Sequence, residues 1–186
     1  MSTGSGLTVY HPKQGLLRNY DKIDGLQGNE FSDNAAVKLS SGELLFGGRN
    51  GFNIFRPEDI KDNTNIPKVV ITDFLLHNKP VKIGLNSPLK KSIEVTDKIT
   101  LTHKDYIFSF GFAALNYLSP EKNQYKYKLE GFENEWVETQ DRHMVTYTNI
   151  PPGNYTFRVI ASNNDGYWNK IGASLQLSIL PPWWKT

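Results

Sequence analysis

The 186-residue sequence contains no cysteine, which excludes disulfides, thiolate nucleophiles and cysteine-ligated zinc. This absence carries no message about compartment, because cysteine-free chains occur in both the cytosol and the bacterial periplasm. Long apolar runs are missing too: nothing approaches the ~18 continuous apolar residues of a membrane-spanning helix. The opening MSTGSG lacks the basic start and apolar core that a signal peptide would need. No excess of one charge is present either. The 21 basic and 19 acidic residues are well mixed and leave a net charge of +2, without the basic patch of a nucleic-acid binder. Helical periodicity is almost absent, and there is no nucleophile elbow, P-loop or dinucleotide fingerprint.

What is present is material for strands and turns. The chain is 38% hydrophobic and 12% aromatic, with 15 glycines and 10 prolines to punctuate it. AAVKL (35–39), ELLFG (43–47) and FNIFR (52–56) are separated by Ser41-Gly42 and Asn50-Gly51. These dipeptides accept the positive φ that tight hairpins demand, so three antiparallel strands are expected. The segment also repeats itself. GLTVYHP (6–12) returns forty-five residues later as GFNIFRP (51–57), each position keeping its physical class. A period of that length fits a β-propeller blade, and one copy cannot bury its own faces. LLRNY (16–20) could serve as an outer strand after the first copy, whereas the matching KDNTN (61–65) is too polar. The chain therefore reads as a piece of something longer, with earlier blades expected upstream.

From Pro67 the pattern changes to a series of short alternating runs: VVITDFLL (69–76), IEVT (93–96), KITLT (98–102), YIFSFGF (106–112), YKYKLEG (125–131), MVTYTNI (144–150), YTFRVIA (155–161) and ASLQLSI (173–179). Tyr106, Phe108, Phe110 and Phe112 fall on one face, as do Tyr125, Tyr127 and Leu129. Strict alternation with turn residues between predicts a β-sandwich, and MVTYTNI with YTFRVIA predicts a hairpin around PPGN. Tyr155, just after the turn glycine Gly153, suits a tyrosine corner whose hydroxyl bonds backbone upstream. Trp136 suits a tryptophan packed between sheets. The fold class expected is all-β: a fibronectin/immunoglobulin-like sandwich over 67–180, preceded by a partial propeller blade over 1–66 and followed by a short stem over 181–186.

The stretches YKYKLEGFENEWVE (125–138) and VTYTNIPPGNYTFRVIASNNDGYWN (145–169) resemble the triple-tyrosine, or Y_Y_Y, domain. On that resemblance Tyr127, Tyr147, Tyr155, Trp136 and Gly153 are its structural motif residues. AVKLSSGELLFGGRNGFNIFRPEDI (36–60) is similar to the last two-component-regulator propeller repeat that precedes such domains. LPPWWKT (180–186) is similar to the stem before a membrane helix. The resemblance implies the extracytoplasmic sensor region of a hybrid two-component system of the Bacteroides type, on the periplasmic side of the inner membrane. It implies a homodimer through the sandwich, upstream propeller blades, a membrane helix following Thr186, and an oligosaccharide ligand bound mainly outside this chain. The kinase and most of the propellers are absent, so their ligand residues cannot be carried onto any position here.

His11, His77, His103 and His143 are far apart in sequence and read as surface or turn residues, not metal ligands. Glu130, Glu133, Glu135 and Glu138 invite comparison with glycosidase carboxylates, but Glu130 alternates with core residues as a solvated position should. No catalytic residue, metal site or cofactor is expected. Tyr167 and Trp168 are candidates for a ligand or coupling surface near one sandwich end. Trp183 and Trp184, followed by Lys185, suit a membrane interface. The expected role is signal transmission, with a carbohydrate-binding accessory module as the alternative.

Overall fold

The computed structural model describes residues 1–11, 16–139 and 142–182. It divides into two compact units, Met1–Asp62 and Asn63–Thr186. The first holds two three-stranded antiparallel sheets, β1 (Ser2–Thr3), β2 (Gly6–His11) and β3 (Leu16–Tyr20), then β4 (Phe31–Lys38), β5 (Leu44–Gly48) and β6 (Gly51–Phe55). The sequence repeat has a structural counterpart. β2 and β6 each start at a glycine with positive φ, +118° at Gly6 and +128° at Gly51, closing the hairpins β1–β2 and β5–β6. The first copy continues into β3, paired to β2, while residues 61–65 form no strand. No propeller or barrel closes among the described residues.

The β4–β6 sheet has two unlike faces. On one, Phe46 stacks on Phe55 at 5.9 Å and meets Phe31 edge-on. On the other, Val37, Leu45 and Ile54 lie in register across the three strands. Phe52 joins that face, and Val37, Phe52 and Ile54 are all exposed.

The second unit stacks two sheets. One is β13–β10–β7–β8, built from β7 (Val69–Leu76), β8 (Lys79–Pro80), β10 (Ile107–Ala114) and β13 (Met144–Thr148). The other is β12–β11–β14–β15–β9, built from β9 (Lys98–Leu101), β11 (Tyr125–Glu130), β12 (Val137–Thr139), β14 (Gly153–Ser162) and β15 (Trp168–Ile179). All pairs are antiparallel except β9–β15. Alternation places Phe108, Phe110 and Phe112 of one sheet against Leu129, Phe157, Val159, Leu175 and Leu177 of the other, all essentially buried. The rings of Phe110 and Phe157 stack across the sheets at 4.7 Å. This is an all-β unit of sandwich type.

Three local expectations give way to tertiary context. β13 and β14 are not a hairpin: β13 pairs with β10, while both edges of β14 are taken by β11 and β15. Val145 and Tyr147 face the core from one sheet and Phe157 and Val159 from the other, so the chain must cross between sheets. It does so through Asn149 (φ 53°), the buried Ile150, and two prolines that have no N–H for a ladder. IEVT is not a strand. Ile93–Val95 is a single 3₁₀ turn, in which Thr96 Oγ1 donates to the Ser92 carbonyl and offers the backbone an alternative to pairing. Tyr106 does not join Phe108, Phe110 and Phe112 inside. It precedes β10, is exposed, and packs edge-on against His77.

Candidate functional site

The turn from β14 to β15 reads Ser-Asn-Asn-Asp-Gly-Tyr (162–167), and its asparagines do more than turn the chain. Asn163 is 1% exposed. Its Oδ1 accepts from the amides of Asp165 at 2.9 Å and Tyr167 at 3.0 Å, an Asx-type arrangement that fixes the turn. Its Nδ2 reaches about 100 residues back and donates to the carbonyls of Asn63 and Asn65. A carboxamide has two donor hydrogens and an oxygen with two lone pairs, and here all are used. Being neutral, it can do this while buried without the desolvation cost of a charge.

Around it lies a wider clasp. Asn63 Nδ2 donates to Asn164 Oδ1 at 3.0 Å and Asn116 Oδ1 at 3.3 Å. Asn116 Nδ2 donates to Asn123 Oδ1 at 2.9 Å and Asn164 Oδ1 at 3.2 Å. The Asp165 carboxylate accepts from the Asn63 amide and from Asn164 Nδ2. Asn169, on β15, donates to the Pro67 carbonyl at 2.8 Å. The lead-in to the sandwich, residues 63–67, is thus held through side chains rather than by a strand ladder.

The motif tyrosines lie elsewhere. Tyr127 and Tyr147 both pack on Phe157, with ring centroids 6.5 and 6.3 Å away. Tyr147 is buried and donates from its hydroxyl to the Glu133 carboxylate at 3.1 Å. The same carboxylate accepts from the Leu129 amide at 2.6 Å, which locks the turn after β11. Burial first, then the negative Glu133 beside it, push the Tyr147 phenol well above the ordinary tyrosine range. Tyr127 is shifted upward for the same two reasons, partly opposed by Arg142. The Tyr155 hydroxyl donates to the Pro151 carbonyl at 2.9 Å across the sheet-to-sheet crossover. Gly153 gives that ring room: a Cβ there would sit 3.1 Å from the hydroxyl.

Trp136 is not packed between the sheets; it is 36% exposed, and Arg158 lies over its ring at 5.9 Å. It lies just before β12, whose Val137 pairs with Tyr127, and its ring sits against Arg158 at the surface of the five-stranded sheet, outside the core. Trp168, half-buried, carries Lys126 over its ring at 4.9 Å. The two basic groups also pair with acids, Arg158 with Glu130 at 3.1 Å and Lys126 with Glu138 at 2.6 Å. Two tryptophan–cation–carboxylate sets therefore stand on one outer face. Tyr167 is 36% exposed and is tied to the clasp through its amide. Trp183 and Trp184 lie outside the described residues. Among the described residues no group of His, Asp and Glu has metal-binding geometry. His77 forms part of the β7–β8 turn, and the His143 ring meets Tyr125 edge-on.

Residues 116–180 match the Y_Y_Y domain family. The whole chain is 34% identical over 187 residues to "Histidine kinase P4" of Formosa agariphila, covering 100% of this chain and 14% of that protein. Among solved structures, the extracellular domain of BT3049 from B. thetaiotaomicron, a proposed hybrid two-component system, superposes with a TM-score of 0.77 at 29% identity. The match covers 97% of this chain and 24% of that one. The extracellular domain of BT4673 from the same organism matches with a TM-score of 0.59 at 25% identity, over 98% of this chain and 24% of that chain. The chain is related to the extracytoplasmic sensor domains of Bacteroides two-component systems. As a sensor segment it corresponds to none of the kinase catalytic machinery. It spans 14% of the curated relative and about a quarter of the solved sensor domains (24%). No helix among the described residues of this sensor segment is long and apolar enough to cross a membrane.

Proposed function

We propose that this segment relays a ligand-driven rearrangement toward the membrane in a hybrid two-component histidine kinase that regulates polysaccharide use. In this reading residues 1–66 are the last blade of a β-propeller, 67–180 a fibronectin-like sandwich, and 181–186 a stem leading to a membrane helix beyond Thr186. The receptor works as a homodimer through the sandwich, and oligosaccharide binds on the upstream blades. The uncovered face of Val37, Leu45, Phe52 and Ile54 supports a neighbouring blade, since an apolar sheet face of this kind calls for a covering layer.

One observation carries the relay. The lead-in is gripped by Asn163 and Asn169 at the end of the sandwich where β15 begins. β15 then runs twelve residues, one bulge included, alongside the ten of β14, about 33 Å at ~3.3 Å per residue, to its far end at Ile179. The chain enters the sandwich at one end and leaves at the other through one strand, bulged near its start. These 186 residues contain no cysteine, so single cysteines introduced on the exposed sandwich faces are the only thiols of this segment when the intact receptor is cross-linked. The yield should change when polysaccharide fragments are added. An interface indifferent to every activating fragment would sink the relay reading.

Trp136 and Trp168 on one outer face favour a second reading, a carbohydrate-binding module in its own right. Calorimetric titration of the chain with plant and host oligosaccharides separates the two. The module requires saturable binding that Trp168→Ala abolishes; the relay requires none.

A further inference from the structure

β15 is irregular at one place. Ala161 of β14 faces Asn169, and Val159 faces Ala173, so two steps along β14 are matched by four along β15. The extra residues form a bulge, with Ile171 turned out to solvent at 87% exposure. Gly172 sits there in the left-handed region at φ 65°, and a Cβ on it would approach the Val159 carbonyl oxygen to 2.1 Å. Only glycine fits, so the bulge is a defined feature of the strand and not a local slip.

What holds the bulge is Asn169. Its Oδ1 accepts from the amides of Ile171 at 3.1 Å and Gly172 at 3.0 Å, the very groups the bulge removes from the ladder. Its Nδ2 donates to the Pro67 carbonyl at 2.8 Å. One side chain thus touches the lead-in with one end and the interrupted backbone of the outgoing strand with the other. Below the bulge β15 pairs with β14 throughout and, from Gln176 to Ile179, with β9 as well, the β9 side being extended by the contacts of Gln176 with Asp97 and Leu180 with Leu101. Above it only Trp168 and Asn169 pair, and with β14 alone. The bulge is therefore where β15 passes from an end held by the clasp to a length held by the sheet, first by the β14 ladder and then by two.

We propose that Asn169 is the coupling residue of the segment: it transmits displacement of the lead-in at Pro67 to the Ile171–Gly172 bulge, and through it to the body of β15. This rests on the relay reading for its biological meaning, but the coupling itself is a property of the 186-residue chain and can be measured there. Asn163→Ala loosens the lead-in, and with it the 163–167 turn, but removes no contact of Asn169 or the bulge, so the Asn169→Asp background separates a route through Pro67 from one through the turn. Amide hydrogen exchange at Ile171 and Gly172 should then accelerate about tenfold, the scale of one lost hydrogen bond.

Asn169→Asp supplies the control. A carboxylate still accepts from the two bulge amides but cannot donate to Pro67. In that background the bulge amides should stay protected and Asn163→Ala should no longer affect them. Coupling of the two substitutions in this cycle is the quantity predicted. Unchanged exchange at Ile171 and Gly172 in folded Asn163→Ala, or an equal response with Asn169→Asp present, would overturn the inference. If the exchange coupling holds and the cross-linking of the intact receptor fails to respond, the relay reading falls and the coupling stands. The opposite pair of results retains the relay and removes Asn169 from it.

Discussion

The hydroxyl of Tyr147 donates to the carboxylate of Glu133 at 3.1 Å, joining an edge strand of one sheet to the turn that ends β11 in the other. Because the phenol is buried against a negative group, its pKa in the folded chain lies above the ~10 of an unfolded tyrosine. A group raised in this way contributes stability that is fully present below about pH 10 and is lost as pH climbs toward the folded value. Tyr147 should therefore ionise above the ordinary tyrosine range. Ultraviolet titration should show a late phenolate phase coinciding with alkaline unfolding, and Tyr147→Phe should remove it. A Tyr147→Phe variant with an unchanged alkaline limb would show that this contact does not govern stability at high pH.

The stacked pair Phe110 and Phe157 joins the two sheets at the centre of the core. Phe157→Ala leaves a cavity that rigid neighbouring strands cannot close, so a loss of about 3–5 kcal/mol is expected. Urea unfolding followed by tryptophan fluorescence measures it. A loss below about 1 kcal/mol would mean that the sheets collapse into the space.

Asn163→Ala removes two donated and two accepted hydrogen bonds that serve a buried turn and the lead-in. A cost of about 2–4 kcal/mol follows from several unsatisfied groups. Asn163→Asp should also destabilise, because a carboxylate cannot donate to the carbonyls of Asn63 and Asn65. Proteolytic cleavage within 62–66 should rise in both variants ahead of global unfolding. A wild-type digestion pattern would dissociate the side chain from the hold on the lead-in.

Trp136, standing outside the core, should tolerate Trp136→Ala at a cost below about 1 kcal/mol, since exposed cation–π contacts are worth about 0.5–1 kcal/mol. Acrylamide should also quench a share of the native fluorescence that this substitution removes. A core-sized loss of stability would contradict the placement.

Much of the sandwich was legible in the sequence because its signal is local. Period-two alternation at Phe108, Phe110 and Phe112, and at Tyr125, Tyr127 and Leu129, needs only neighbouring residues to state which face is buried. The same holds for the Asn-Gly and Ser-Gly turns and for the paired copies at Gly6 and Gly51. The candidate site was much less legible. Asn163 and Asn169 sit in what reads as an ordinary polar turn, and their partners lie about 100 residues away in sequence. The density of asparagine in SNNDG, matched by the asparagines at 63, 65 and 116, is the only trace, and composition cannot reveal who bonds to whom.

Where local chemistry left two outcomes open, the tertiary structure decided. PPGN could have closed a hairpin, but β14 already had a neighbour on each edge. Trp136 could have packed between the sheets, but it precedes β12 at the surface, against Arg158. The sequence by itself determined most of the strands, the Asn-Gly and Ser-Gly turns and the inward face of β10 from Phe108 on, because alternation and turn propensity act over a few residues. Only the folded chain decided which strands are neighbours, which asparagines meet and where β15 is interrupted, because hydrogen bonds between distant segments exist only once the sheets have been brought together.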